Sequence, residues 1–202
     1  VVPQCSVSLA QLLKAVQVRY PQLDYRIAVL SADQLLEALN SHTVDVGIGF
    51  FEMATLRELH FQAALLADRG VEAVFHPGHF QHLGEVESLD LPTLARQPLC
   101  LAEPTRYFRR YLDMALREMS LMPRVVVESA SIMQLLQCTQ VGLGVLVSPR
   151  GHLLPASLHG LEQRPVIMPK MARQAALVVA EPGRATPLAQ HFYDEARSHL
   201  DL

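Results

Sequence analysis

Tyr25-Arg26-Ile27-Ala28-Val29-Leu30-Ser31-Ala32-Asp33-Gln34-Leu35-Leu36-Glu37-Ala38-Leu39-Asn40, continued by Val44-Asp45-Val46-Gly47-Ile48-Gly49-Phe50, is the stretch that decides the fold. An apolar run stops at Ser31, and Ser-x-x-Gln follows at once. That pattern is a capping box, in which the Ser hydroxyl takes a first-turn N–H and the Gln side chain reaches back to the Ser N–H. Leu35, Leu36 and Leu39 then share one helical face. Val44 to Phe50 is nearly all apolar, as a strand is when both faces of its sheet are covered, and its glycines point to close approach of other backbone or of a ligand. Strand, capped helix, strand is the start of a βα unit. Parallel strands of this kind gather their helix N-termini at the carboxyl ends of the sheet, where open α/β sheets take ligands. Free N–H groups and the helix dipole make that position receptive to an anion.

The signature recurs twice, at Ser8 to Gln11 and at Ser131 to Gln134. The first box opens a helix with Leu9, Leu12, Leu13, Val16 and Tyr20 on one stripe, ended by Pro21 because the residue before proline is pushed out of the helical region. The third opens a helix carrying Ile132, Leu135, Leu136 and Thr139. Between them, residues 59–66 and 71–76 read as two strands around Asp68-Arg69-Gly70. Leu89 to Leu94 reads as a short helix and Pro98 to Ala102 as a strand. A helix then carries Phe108, Tyr111, Leu112 and Ala115, with Thr105 as its N-cap. Val125–Val127, Val145–Val147 and Ala175–Ala180 read as strands, and residues 151–170 as loops with a short strand. Pro187 opens a last helix with Leu188, Phe192, Ala196 and Leu200. The order is two α/β halves joined by a pair of strands, a hinged plan of two Rossmann-like lobes.

Composition agrees. A chain of 202 residues accommodates two lobes of about 100 each. Half of it is hydrophobic and 18% charged, which excludes a disordered chain. A net charge of −3 lacks the basic excess of a nucleic-acid module. Cys5, Cys100 and Cys138 are dispersed, so they predict neither a disulfide framework nor a zinc site, and they fit a reducing cytoplasm. Neither a membrane span nor a signal peptide is expected, and a start at Val1 reads as truncated. No Gly-x-Ser-x-Gly, His-Glu-x-x-His or Walker loop occurs, so neither a catalytic centre nor a cofactor is expected. His76, His79 and His82 have helical spacing, but Pro77-Gly78 breaks the helix, so surface histidines are expected in place of a metal site. Cys5 reads as an idle thiol.

Several segments, taken in order, carry a family likeness. Leu12-Leu13 with Arg19-Tyr20-Pro21-Gln22-Leu23 resembles the opening of the regulatory domain of LysR-type transcriptional regulators. Leu35-Leu36-Glu37-Ala38-Leu39 with Val44-Asp45-Val46-Gly47-Ile48 is similar to that family's helix and the strand after it. Val74-Phe75-His76-Pro77-Gly78-His79 resembles a strand that leads to a His-Pro-Leu segment, with the leucine lost, and Leu89 to Pro98 resembles the opening of the second lobe. Pro123-Arg124-Val125-Val126-Val127-Glu128, Ser131 and Val141-Gly142-Leu143-Gly144-Val145 with Pro149 match best.

The resemblance implies a type 2 periplasmic-binding-protein-like fold. Lobe I would be 1–71 with 170–202, and lobe II 72–169. An N-terminal winged helix-turn-helix, absent from this chain, would carry the contact with promoter DNA. It implies a cytoplasmic homodimer or homotetramer that binds a small-molecule effector, often an anion, between its lobes. Carried onto this chain, the effector-binding positions are Ser6 and Ser8; Ser31 and Asp33; Phe50 and Phe51; Thr105 and Arg106; and Ser129 with Ser131. Hydroxyls at helix starts would donate to oxyanions, Arg106 would add a charged fork, and the two Phe would supply apolar wall. The same serines also have a plain capping role, and Arg106, beside Arg109, Arg110 and Arg117, also fits a solvated helix face. Ser6 has no capping role, while Asp33 opposes an anionic ligand. The competing functions are a solute-binding protein for transport and an enzyme of the same two-lobe plan.

Overall fold

The structure, a computed structural model, describes residues 9–66, 70–153, 155–169 and 173–199, with all of their side chains except that of Gln11. The chain divides into two compact units, Val1–Asp68 with Met171–Leu202, and Arg69–Lys170, so it passes from one to the other twice.

In the first unit, α1 (Leu9–Arg19) buries Leu12 and Val16 and packs on α8 (Pro187–Ser198). Arg19 pairs with Glu195 at 3.4 Å, and Tyr20 stacks on His191. Helix α2 (Ala32–Asn40) buries Leu35 and Leu39 on β1 (Gly47–Phe51). A Cβ at Gly47 would come within 3.1 Å of both leucines, so this glycine lets helix and strand approach. After α3 (Met53–Glu58) come β2 (Phe61–Leu65) and, much later in the chain, β8 (Gln174–Ala180). The sheet order is β1-β8-β2, with β8 antiparallel to both neighbours.

The second unit is built from β3 (Val71–Phe75), α4 (Gln81–Gly84), α5 (Leu91–Ala95), β4 (Pro98–Ala102), α6 (Tyr107–Glu118), β5 (Arg124–Ser129), α7 (Ile132–Gln140), β6 (Val145–Pro149), a short 3-10 turn at Pro155–Leu158 and β7 (Glu162–Val166). Its sheet runs β5-β4-β6-β3-β7. Strand β4 is parallel to β5 and β6, whereas β3 is antiparallel to β6 and β7. Each sheet therefore receives one antiparallel strand from the chain arriving out of the other unit, β8 in the first and β3 in the second. Helix α7 covers a core of Val74, Cys100, Leu135, Leu136, Leu146 and Leu153.

The repeat legible in the sequence is local as well as topological. Helices α2 and α7 are both nine residues long, both follow a Ser cap and both precede a strand. Both end in a Schellman motif. In α2, His42 N–H donates to Leu39 O and Thr43 N–H to Ala38 O. In α7, Gly142 N–H donates to Thr139 O and Leu143 N–H to Cys138 O. Helix α6 ends in the same way around Ser120. The left-handed residue is His42 in α2, Ser120 in α6 and Gly142 in α7. Gly142 has a second reason to be glycine, since a Cβ there would lie 2.3 Å from the His79 ring.

The strand stub read at Val1–Val2 lies outside the described residues; among the described residues no ladder includes 25–30, and Ile27 and Val29 are exposed. Three expectations are corrected. Strand β1 starts at Gly47, three residues later than Val44. Helix α5 starts at Leu91 because Leu89 bridges to Val166 of β7. In α8 the buried stripe is Ala189, Tyr193 and Ala196, and Leu188 is exposed. The first-turn position of Leu188 turns it off that face.

Candidate functional site

In the second unit, β4 and β5 run parallel in adjacent positions, with Ala102 opposite Ser129 at their carboxyl ends. The segment Glu103–Arg106 leaves β4 into α6, and Ser129–Ser131 leaves β5 into α7. Thr105, Arg106, Ser129 and Ser131 thus emerge from two neighbouring strand ends, which is the position that open α/β sheets use for ligands.

The two helix starts are closed differently. At α7, Ser131 Oγ accepts from Gln134 N–H at 3.4 Å, but the Gln134 side chain does not return to Ser131. Its Oε1 accepts from Ser129 Oγ at 2.9 Å, and Ser129 Oγ accepts in turn from Ser131 N–H at 3.1 Å. The expected box is therefore replaced by a three-residue ring, and the Ser129 hydroxyl is spent on the turn. The Ser131 hydroxyl only accepts within this ring, so its O–H is still available as a donor. At α6, Arg106 N–H donates to Glu103 O, closing a turn over Pro104-Thr105. That turn moves the N-cap from Thr105 to Arg106, which makes no side-chain capping bond. Thr105 is exposed on the turn, and Arg106 is half-buried at a helix start that its own side chain does not cap.

Arg109 is the residue that sequence reasoning misjudged. It sits one turn into α6 and is 8% exposed, whereas Arg110 and Arg117 are solvated. Its Nε donates to both carboxylate oxygens of Asp113, at 2.9 and 3.0 Å. Its Nη1 donates to Ala102 O at 2.7 Å and to Glu128 Oε2 at 2.8 Å. Burial works against the charge, but the hydrogen bonds to Asp113 and Glu128 outweigh it and hold the guanidinium above its ordinary pKa. The only sequence signal was the Arg–Asp pair at i, i+4.

In the first unit the Ser31 box is complete. Ser31 Oγ accepts from Gln34 N–H at 3.3 Å, and Gln34 Oε1 accepts from Ser31 N–H at 3.0 Å. Ser31 and Asp33 are exposed. Phe50 and Phe51, at the end of β1, are both buried. Just beyond them Glu52 pairs with Arg173 at 3.4 Å. Ser6, Ser8 and Cys5 lie outside the described residues. The His76 and His79 rings meet edge to face, with centroids 5.1 Å apart, and form no metal-binding group with His82. His76 Nδ1 accepts from Gly78 N–H, while His82 bonds Gln97 through Nε2. No metal-binding group of three occurs among the described residues.

These features gain a name from comparison with known proteins. A family model described as the LysR substrate binding domain matches residues 2–201. The chain belongs to this family. The regulatory, effector-binding domain of LysR-type regulators is thus the function class, and the fold is the type 2 periplasmic-binding-protein-like one that the sequence resemblance implied. Among solved structures, the effector-binding domain of QuiR in complex with shikimate is 15% identical. It covers 98% of this chain and 94% of that one, with a TM-score of 0.77. The CcmR regulatory domain of Synechocystis PCC6803, in complex with 2-PG, is 16% identical over 99% of this chain and 94% of that one, with a TM-score of 0.78. Full-length CbnR complexed with target DNA is 15% identical over 98% of this chain and 67% of its own, with a TM-score of 0.74. At these identities the likeness is one of fold. No curated protein matches the chain in sequence. For this LysR substrate-binding domain, no helix among the described residues is long and apolar enough to cross a membrane.

Proposed function

We propose that this LysR substrate-binding domain senses a small polar metabolite bearing at least one oxyanion, and that it performs no chemistry. The observation that carries the reading is the pairing of Ala102 with Ser129. That pairing supports the reading, because the α6 start with Arg106 and the Ser131 turn follow from neighbouring strand ends. One carboxylate or phosphate there would take backbone N–H groups of α6 and the Arg106 fork. Thr105 belongs to the same set in the second unit; in the first unit the effector positions implied by the family likeness are Ser31, Phe50 and Phe51, with Ser6 and Ser8. Ser129, whose hydroxyl is spent, acts through the turn it closes.

The division into lobe I (1–71 and 170–202) and lobe II (72–169) is the working assignment for this function. The whole regulator would act in the cytoplasm and reach promoter DNA through a winged helix-turn-helix. Self-association is supported by exposed apolar side chains, Val18, Ile27 and Val29 in the first unit and Met114, Met119 and Met122 in the second. The family match favours a regulator over a transport protein.

Thermal melting of the chain against organic acids and phosphorylated metabolites tests the reading. A compound at 100 times its Kd stabilises the domain by about 2.7 kcal/mol, and Arg106→Ala should abolish that gain. A ligand whose effect survives Arg106→Ala and Ser131→Ala together would place binding elsewhere.

A further inference from the structure

We infer that Arg109 is a positioning residue, which fixes the α6 start and the Ser129–Gln134 turn in one frame. The inference rests on the proposed site, since its value lies in where those two segments meet. Arg109 bonds a residue of its own helix and two neighbouring strands. Nε holds Asp113, one turn further along α6; Nη1 holds Ala102 O, the last residue of β4; and the same Nη1 holds Glu128, the residue before Ser129 on β5. The guanidinium is planar and its bonds leave in fixed directions, so the three partners are held in mutual register and not merely attracted. Arg109 is nine-tenths buried, which weakens competition from water. Backbone pairing fixes Ala102 against Ser129, but it does not set the distance of α6 from β5. The Arg109–Glu128 bond, at 2.8 Å, ties these two elements directly. A displacement of the α6 start by a bound anion would be passed through Arg109 to Glu128, and so to the neighbouring Ser129 turn.

Asp113→Asn gives the test, because Asp113 touches neither segment. The substitution removes the charge that orients Nε, without removing either partner of the Ala102 and Glu128 bonds that this orientation aligns. Amide hydrogen exchange is read on the intact 202-residue chain without ligand. The expected result is exchange roughly tenfold faster at Ser131 and Gln134, equivalent to about 1.4 kcal/mol of local protection, with α2 and β1 unchanged. Glu128→Gln keeps an acceptor for Nη1 and should give a smaller increase at the same amides. Acceleration confined to α6, or spread equally over both units as in a general loss of stability, would overturn the inference. The readout needs no ligand. A silent metabolite panel with localised exchange would therefore count against the sensor reading alone, and uniform exchange with a binding hit against the positioning role alone.

Discussion

Glu72 offers a quantitative test of how the second unit is held. It lies on β3, 4% exposed, directly opposite the fully buried Ser148. One carboxylate oxygen, Oε1, is buried and has no hydrogen-bond partner among the described residues. Burial pushes the carboxyl above the ordinary range, partly opposed by the Gly151 N–H, the nearby Arg150 charge and the Gln163 side chain. The folded state therefore binds this proton more tightly than the unfolded chain does. Stability from the group is present in full below its unfolded pKa and is lost as pH rises through the folded value. Glu72→Gln keeps the shape and removes the ionisation. Near pH 4 variant and parent should be equally stable. At pH 8 the variant should be more stable by about 1–3 kcal/mol, the usual cost of a buried unsatisfied polar group. For a chain of this size each kcal/mol moves the melting temperature by roughly 2–4 °C. Urea titrations at pH 4, 6 and 8, read with unchanged m-values, measure it. A difference that is flat with pH, or a variant weaker at pH 8, would refute the reasoning.

Three further outcomes follow from the packing. Gly144→Ala should destabilise by about 1–3 kcal/mol by overpacking, because its Cβ would lie 2.8 Å from Pro98 O and 2.9 Å from Cys100 Sγ; a melting curve checks this. Ser120→Gly, replacing an L residue at φ 56°, should gain about 1 kcal/mol by removing left-handed strain, as seen in chemical denaturation. Burial raises the Cys100 thiol to about 11, against a smaller lowering by the Thr139 hydroxyl. Alkylation followed by peptide mapping at pH 8 should therefore find Cys100 labelled only as the chain unfolds, and labelling faster than unfolding would contradict its burial.

The α/β plan was legible because its signals are local. The Ser31 box, the leucine face of α2 and the apolar β1 each depend on neighbours in sequence, and all three appear in the structure. What escaped depended on distant partners. Ser131 carries the same motif as Ser31, yet Gln134 turns to Ser129, because β5 brings that hydroxyl to the helix start. Arg109 reads as one of a basic cluster on a solvated face, and only the strand ends Ala102 and Glu128 make it internal. The antiparallel strand inserted into each sheet comes from chain that crosses between units, so its pairing has no local signature. In the second unit, capping chemistry located the start of α7 at Ser131 but placed that of α6 one residue early, at Thr105, and the way each is closed was not legible.

The central claim is that a small-molecule oxyanion binds where β4 and β5 end. The most direct measurement is backbone amide NMR of the chain, titrated with any metabolite that raises its melting temperature. The account predicts saturable shifts concentrated at residues 105–109 and 129–134, lost in Arg106→Ala. Saturable shifts that leave those residues untouched would contradict it.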